Sequence, residues 1–150
     1  MKKILFLCHG NICRSPMAEF IFKELTKGQS VYVESMAVSR EEIGNDIYPP
    51  AKQILRQKGI AFSHHSARQI TRQDYEQFDY IIVMEKRNIP RLMSIISQDD
   101  LCKIYRLLDF TDAPGDIDDP WYSGNFEKTY NEIYCGCAAL LSHLKQNGEI

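Results

Sequence analysis

Short apolar runs alternate along the chain with segments in which apolar residues recur at helical spacing. The run at residues 4–7 is unbroken and ends at a glycine-containing loop, and residues 80–84 form the clearest interior run. Apolar runs of this length suit strands that are buried on both faces of a parallel sheet. Residues 31–33 and 103–108 are predicted as the other two strands.

Helices are predicted between these strands and after the last one. Ser15-Pro16 supplies an N-cap residue followed by proline at the first helical position, and Thr71 to Asp74 resembles a capping box. The apolar spacing predicts helices over residues 15–28, 49–59, 71–78, 88–96 and 126–144. Residues 109–124 are rich in proline, glycine and aspartate and are predicted to form a loop.

Alternating strands and helices predict an α/β fold of the doubly wound class. The expected architecture is a four-stranded parallel sheet with helices on both faces, a flavodoxin-like or Rossmann-like three-layer sandwich. The length of 150 residues, without a repeat or a linker, predicts a single domain over residues 1–150. Ligands of such sheets bind at the carboxyl ends of the strands, so Cys8 and Asp119 are expected on the same side.

Composition narrows the classes of function and of cellular location. A net charge of -2 provides no overall basic field, so neither nucleic acid nor a membrane is expected as a partner. The apolar run after Lys3 is too short for a signal peptide, which predicts a cytoplasmic protein. Five cysteines without a secretory signal favour free thiols over disulfides. No cofactor and no metal are predicted.

The loop between the first predicted strand and helix carries the strongest chemical signal. It reads Cys-His-Gly-Asn-Ile-Cys-Arg-Ser over residues 8–15. Its backbone amides can turn inward around one anion, and the following helix adds its positive end. Gly10 and Asn11 are residue types that tolerate the left-handed turns this arrangement requires. The loop is therefore predicted to bind phosphate.

Cys8 and Arg14 are the candidate reactive pair in this loop. The inward amides, the helix dipole and the Arg14 cation all favour a thiolate at Cys8, which would make it a nucleophile. The planar Arg14 guanidinium can donate two parallel hydrogen bonds to a transferring phosphoryl group. The alternative is a buried structural cysteine with a surface arginine. The full string between an apolar strand and Ser-Pro argues against that alternative.

These motifs resemble the low-molecular-weight protein tyrosine phosphatase family. Residues 8–15 match its signature loop, residues 16–19 continue the match, and further similarity lies at residues 34–37, 65–70, 79–81 and 119–120. The resemblance implies hydrolysis of phosphotyrosine and small aryl phosphates through a phosphocysteine intermediate on Cys8. It also implies that Arg14 binds the phosphoryl group and that Asp119 acts first as general acid and then as base.

Two neighbouring aspartates compete for the acid role. Asp118 and Asp119 both lie in the predicted loop, and the residue types alone leave either possible. The family places its acid directly before proline, which implies Asp119, with Asp118 as the fallback.

The resemblance also implies a set of supporting residues around the loop. Asn11, Ser35 and His65 are expected to hold its shape, and Ser15 is expected to donate a hydrogen bond to the sulfur of Cys8. The remaining loop positions expected around the phosphate are His9, Gly10, Ile12 and Cys13. In the family, the second loop cysteine can form a reversible disulfide with the nucleophile; simple packing is the alternative for Cys13.

The mouth of the expected site is where this chain departs from the family pattern. Trp121 and Tyr122 follow the acid and are expected to form one wall for an aryl substrate. Glu41 occupies a position that is often aromatic, His9 one that is often leucine, and Glu85 one that is usually aspartate. Glu41 and its neighbour Glu42 suggest a preference for basic or small substrates, although a charged pair is commonly just a solvated surface.

Two other enzyme functions and one non-catalytic role are alternatives to phosphotyrosine hydrolysis. An arsenate reductase of the same fold needs two further redox cysteines, and Cys135 and Cys137 on the last helix are poorly placed for that relay. Phosphoarginine phosphatases tend to have threonine at the position of Ile12, whose apolar side chain favours an aryl ring. A non-catalytic phosphate-binding module would be expected to lack Cys8, Arg14 or the acid. The predicted partners are phosphotyrosine-containing proteins, and a monomer is expected.

Overall fold

The computed structural model describes residues 1–150 and contains one parallel sheet. Its strands are β1 (Lys2–Cys8), β2 (Val31–Ala37), β3 (Tyr80–Val83) and β4 (Ile104–Arg106). All neighbouring strands pair in parallel, in the order β2-β1-β3-β4. The predicted four-stranded parallel sheet is confirmed.

Six α-helices and one 3₁₀ turn accompany the sheet. The helices are α1 (Arg14–Leu25), α2 (Pro49–Gln57), α3 (Arg72–Gln77), α4 (Asn88–Ile96), α5 (Pro120–Ser123) and α6 (Phe126–Gln146), and the 3₁₀ turn spans Leu107–Phe110. No helix combines the length and the apolar character that crossing a bilayer requires.

The strand order creates a crevice at the end of β1. The chain passes from β1 outward to β2, and it then continues on the other side of β1 with β3 and β4. Loops that leave neighbouring strands in opposite directions open a crevice between them, and doubly wound proteins bind ligands there. Cys8 is the last residue of β1 and therefore lies at this crevice.

Two hydrophobic cores cover the two faces of the sheet. Ile4 and Phe6 of β1 point into the larger core, which α1, α2 and α6 complete. Leu5 and Leu7 point the other way, into a smaller core shared with α3 and α4. Residues 4–7 are fully buried, which explains why this strand is apolar without alternation. The predicted three-layer sandwich is confirmed.

The predicted ends of two segments are wrong. The strand predicted over 103–108 keeps only three residues, because the chain enters the 3₁₀ turn at Leu107. The loop predicted over 109–124 contains the end of this turn and the short helix α5. Asp119 caps α5 by accepting a hydrogen bond from the amide of Trp121 at 3.0 Å.

The start of α1 also differs from the prediction. The helix begins at Arg14, with Cys13 as N-cap, so Ser15 is not its cap and Pro16 is its third residue. Proline is tolerated there because the amides of the first turn have no acceptor within the helix. The hydroxyl of Ser15 is instead 3.0 Å from the sulfur of Cys8. By contrast, the capping box predicted at Thr71 and Asp74 is confirmed.

Helix α6 approaches the 3₁₀ turn so closely that its Gly136 has no room for a side chain. A Cβ atom at Gly136 would lie 2.5 Å from Cγ of Leu107, a buried core residue. Alanine is the better helix former by about 1 kcal/mol, but overpacking a core costs about 1–3 kcal/mol. We therefore expect Gly136→Ala to lower the free energy of unfolding by roughly 1 kcal/mol, measured by urea denaturation.

The double variant Gly136→Ala/Leu107→Ala is the control for this prediction. Since the clash requires Leu107, adding Gly136→Ala to Leu107→Ala should be neutral or stabilising. A Gly136→Ala protein more stable than the wild type would contradict the prediction.

Candidate active site

The sulfur of Cys8 lies among hydrogen-bond donors at the end of β1. The backbone amides of Asn11 and Ser15 point to it at 3.3 and 3.4 Å. The hydroxyl of Ser15 is 3.0 Å away, and only 4% of Cys8 is exposed. The loop therefore directs two backbone amides and one hydroxyl at a single sulfur atom.

Asn11 holds the turn of this loop in a conformation that few residues adopt. Its φ of 61° lies in the left-handed region, where asparagine is better tolerated than most residues. Gly10, in contrast, has no positive φ, so only one of the two expected left-handed positions is present. A Cβ at Gly10 would lie 3.2 Å from Cγ of Glu42, a tight contact that a small shift of this side chain would relieve.

The side chain of Asn11 links the loop to β2. Its amide nitrogen donates to the hydroxyls of Ser15 at 2.8 Å and Ser35 at 3.0 Å, and Ser35 in turn donates to Glu19 at 2.7 Å. The hydroxyl of Ser15 accepts from Asn11, and its own proton faces two acceptors, the sulfur of Cys8 at 3.0 Å and the carbonyl of Met36 at 3.5 Å. The sulfur is the nearer one, which fits the donation from Ser15 that the resemblance implies.

His65 braces the same turn from outside. Its Nε2 lies 2.7 Å from the carbonyl oxygen of Asn11, so this nitrogen carries the hydrogen. The backbone amide of His65 donates to Asp46 at 3.0 Å, and Lys52 donates to the same carboxylate at 2.6 Å. Asn11, Ser35 and His65 are all buried and all contact the loop network, as the sequence predicted.

Arg14 is a buried cation between two carboxylates. Its guanidinium donates to Glu85 at 2.7 Å, to the carbonyl of Ile117 at 3.0 Å and to Asp119 at 3.3 Å. Burial alone lowers the pKa of Arg14, but the negative charge of Cys8, the Glu85 hydrogen bond and Asp119 outweigh it, and the pKa lies above its ordinary value. Arg14 is therefore a fixed positive charge beside the sulfur.

The two candidate acids occupy different environments. Asp119 lines the same cavity as Cys8 and Arg14. Asp118 does not line it: its carboxylate accepts from Ser123 at 2.5 Å, and its amide donates to Glu132 at 2.8 Å. Asp118 thus anchors α5 to α6, while Asp119 faces the sulfur's cavity.

An open cavity of about 460 Å³ leads to the sulfur. It is lined by all three predicted catalytic residues and by six other predicted ones, namely Cys8, Arg14, Asp119, His9, Gly10, Ile12, Cys13, Trp121 and Tyr122. Trp121 and Tyr122 both line it and are strongly exposed. The ring of Tyr48 supports Trp121 at a centroid distance of 5.1 Å.

Cys13 lies half-buried in the cavity wall. Burial raises its pKa strongly, and the nearby Cys8 and Asp119 raise it further, although Arg14 acts in the opposite direction. Cys13 therefore remains a neutral thiol while its neighbour is surrounded by donors. Cys135 is exposed and Cys137 is buried on α6, and neither lines the cavity that contains Cys8 and Cys13. They are therefore not arranged as a redox relay with the loop.

Several residues that contribute to the site have no role predicted from the sequence, among them Glu85, Tyr48, Arg87 and Arg91. Glu85 was noted only as a departure from aspartate, yet it makes the shortest hydrogen bond to Arg14. Tyr48, which supports Trp121, was not singled out. Glu85 follows β3, and the carboxyl ends of parallel strands lie at one edge of the sheet. The sequence position of Glu85 could therefore have predicted that it lies near Cys8. Tyr48 precedes α2, and no local pattern connects it with α5.

The fold and the site together define a doubly wound α/β protein with a cysteine-containing phosphate loop. A family model described as low molecular weight phosphotyrosine protein phosphatase matches residues 3–149. The low molecular weight protein-tyrosine-phosphatase YfkJ of Bacillus subtilis is 40% identical over 156 residues, which is 100% of both chains. Its crystal structure superposes with a TM-score of 0.92, covering 98% of this chain and 96% of that one.

Two further solved structures are similar over almost the whole chain. SP-PTP, a low molecular weight protein tyrosine phosphatase from Streptococcus pyogenes, is 39% identical with a TM-score of 0.89, covering 96% of this chain and 93% of that one. DARP, a Drosophila arginine phosphatase, is 34% identical with a TM-score of 0.86, covering 97% and 98%.

The chain belongs to the low molecular weight phosphotyrosine protein phosphatase family. The family consists of protein tyrosine phosphatases, which are hydrolases. The resemblance, the fold and the enzyme class predicted from the sequence are therefore confirmed.

Asp46, behind His65, provides a test of how the loop is supported. The Lys52 hydrogen bond lowers its pKa; burial opposes this, but the amides of Ile47 and His65 help to keep the pKa below its ordinary value. We expect Asp46→Asn to lose about 1–2 kcal/mol of stability at neutral pH. Since the folded-state pKa is depressed, the stabilisation is complete above about pH 4 and disappears as the pH falls further.

Urea denaturation of wild type and Asp46→Asn across this pH range measures the effect. The difference in free energy of unfolding between the two proteins should become smaller below about pH 4. Asp112→Asn, at an exposed aspartate without a partner, is the matched control. It should leave the free energy of unfolding unchanged both at neutral pH and below about pH 4. A difference that is independent of pH would contradict this account.

Proposed function

We propose that this protein hydrolyses phosphotyrosine in protein substrates, with Cys8 as nucleophile, Arg14 as the phosphoryl-binding group and Asp119 as general acid and then base. One observation carries the proposal: the sulfur of Cys8, the guanidinium of Arg14 and the carboxylate of Asp119 line the same cavity. Phosphoryl transfer depends mainly on positioning and on stabilising charge, and these groups supply both.

In the first step the thiolate of Cys8 attacks phosphorus. The sulfur–phosphorus bond forms as the bond from phosphorus to the tyrosine oxygen breaks, and Asp119 gives its proton to that oxygen. Arg14 donates to the phosphoryl oxygens, held in place by Glu85 and the carbonyl of Ile117. The products are tyrosine and a phosphocysteine.

In the second step water releases the phosphate. Asp119, now ionised, accepts a proton from water, the water oxygen attacks phosphorus, and the sulfur–phosphorus bond breaks. The hydroxyl of Ser15 and the amides of Asn11 and Ser15 stabilise the departing thiolate. The same donors thus serve the sulfur as nucleophile and as leaving group.

The walls of the cavity support an aryl substrate. Trp121 and Tyr122 offer aromatic surface on the side of the acid, and Ile12 contributes an apolar side chain on the loop side. Aromatic rings gain from such surroundings, whereas a guanidinium would need a polar partner.

Phosphoarginine is the second candidate substrate class, because the similar DARP structure is titled an arginine phosphatase. Ile12 distinguishes the candidates. We expect Ile12→Thr to lower kcat/KM for a phosphotyrosine peptide by about tenfold, as one or two apolar contacts with the ring are lost. A wild type that hydrolyses a phosphoarginine peptide faster than a phosphotyrosine peptide would reverse the assignment.

A reduced Cys8 is essential to this mechanism, so we also propose that the protein acts in the reducing cytoplasm. The monomeric state, the absence of nucleic-acid and membrane partners and the single domain stay predictions from the sequence. For Cys13, a reversible disulfide with Cys8 and simple packing stay the two alternatives.

The mechanism is tested by comparing two substrates with different leaving groups. Cys8→Ser should abolish turnover of both para-nitrophenyl phosphate and a phosphotyrosine peptide. Asp119→Asn should lower kcat for the peptide by about 10²–10⁴. Its effect on para-nitrophenyl phosphate should be smaller, because that leaving group is less basic and needs less help from an acid.

Asp118→Asn is the matched control for the acid. It makes the same chemical change one residue away, outside the cavity, and should retain kcat within about tenfold because it removes no acid from the cavity. A large loss in Asp118→Asn with none in Asp119→Asn would transfer the acid role to Asp118, and full activity of Cys8→Ser would refute the mechanism.

A further inference from the structure

Two arginines on the wall of the catalytic cavity have no carboxylate partner. Arg87 precedes α4 and Arg91 lies on it, and both side chains line the cavity. Four other arginines, Arg14, Arg68, Arg72 and Arg106, each form an ion pair. Arg40, Arg56, Arg87 and Arg91 form none; of these four, only Arg87 and Arg91 line the cavity, and both are exposed.

The carboxylates of the cavity are already engaged elsewhere. Glu85 and Asp119 bind Arg14, and Glu41 lies 2.9 Å from His9 on the opposite wall. Beside it, Glu42 accepts a hydrogen bond from Asn45 at 2.6 Å. The mouth therefore has one acidic side and one basic side, and the charge of the basic side is not neutralised within the protein.

The fold gains nothing evident from this pair of charges. Residues four apart on a helix face each other, and like charges at that spacing repel. The first turn of α4 also contains no acidic residue that would offset them. Arginine binds carboxylates through two parallel hydrogen bonds, so a pair of free arginines at a substrate cavity suits an anionic group of the substrate.

We propose that Arg87 and Arg91 bind an acidic side chain close to the phosphotyrosine in the substrate protein. The inference rests on the proposed function: with the phosphate at Cys8 and Arg14, the neighbouring residues of the substrate lie at the cavity mouth. The acidic side formed by Glu41 and Glu42 repels the same carboxylate. The two sides together therefore select an acidic neighbour and orient the peptide.

The test uses phosphotyrosine peptides in which aspartate or asparagine is placed at each neighbouring position in turn. At low salt, the best aspartate peptide should exceed its asparagine counterpart in kcat/KM by about three- to tenfold, mainly through KM. The double variant Arg87→Gln/Arg91→Gln should abolish this preference. Turnover of para-nitrophenyl phosphate by the double variant reports whether the catalytic site is intact, because this substrate has no neighbouring residues.

Lys86→Gln is the matched control. It removes a positive charge beside Arg87 at an exposed position that does not line the cavity, and it should keep the preference. Equal kcat/KM for aspartate and asparagine peptides, or a preference that survives in the double variant, would overturn the inference while leaving the proposed function intact. Failure of the wild type on every phosphotyrosine peptide and on para-nitrophenyl phosphate would contradict both.

Discussion

The turn at Asn11 is the constraint on which the site depends. With φ at 61°, this residue allows its own amide and that of Ser15 to point at the sulfur of Cys8. A left-handed residue costs on the order of 1 kcal/mol, and the conformation persists because its surroundings impose it. Asn11 is fully buried and bonded to Ser15, Ser35 and His65, so helix, strand and a distant loop all support one backbone turn.

Charge balance is the second organising feature of the site. Arg14 is buried, and a buried charge is tolerated only with partners, here Glu85 and Asp119. Glu85 holds the guanidinium from the side of β3, and Asp119 contacts it at a longer distance from the start of α5. Arg87 and Arg91 lie outside this balanced set, at the mouth of the cavity. There the proposed acidic side chain beside the phosphotyrosine would balance their charge. The buried charges thus serve the chemistry, and the exposed charges serve selection of the substrate.

The success of prediction differed between elements for identifiable reasons. The strand at residues 4–7 and the capping box at Thr71 were recognised because their signals are local. The strand is an apolar run buried on both faces of the sheet, and the capping box is a pair of reciprocal hydrogen bonds between residues three apart. The fourth strand was overextended because its sequence continues to look apolar, while Leu107 turns away to pack against Gly136 of α6. Ser15 was mistaken for a helix cap because its hydroxyl is engaged by Cys8 and Asn11, contacts that no local pattern reveals.

The sequence by itself determined the phosphate loop, its order of residues and its place between a buried strand and a helix, because those signals lie within a few neighbouring positions. It also supplied the cysteine, the arginine and two candidate acids. The family resemblance already favoured Asp119 over Asp118, and the tertiary structure places Asp119 on the cavity and Asp118 outside it. Only the tertiary structure assigned Glu85 to Arg14 and brought Arg87 and Arg91 to the cavity. These residues are far apart along the chain, and they meet because parallel strands bring their carboxyl ends to one edge of the sheet.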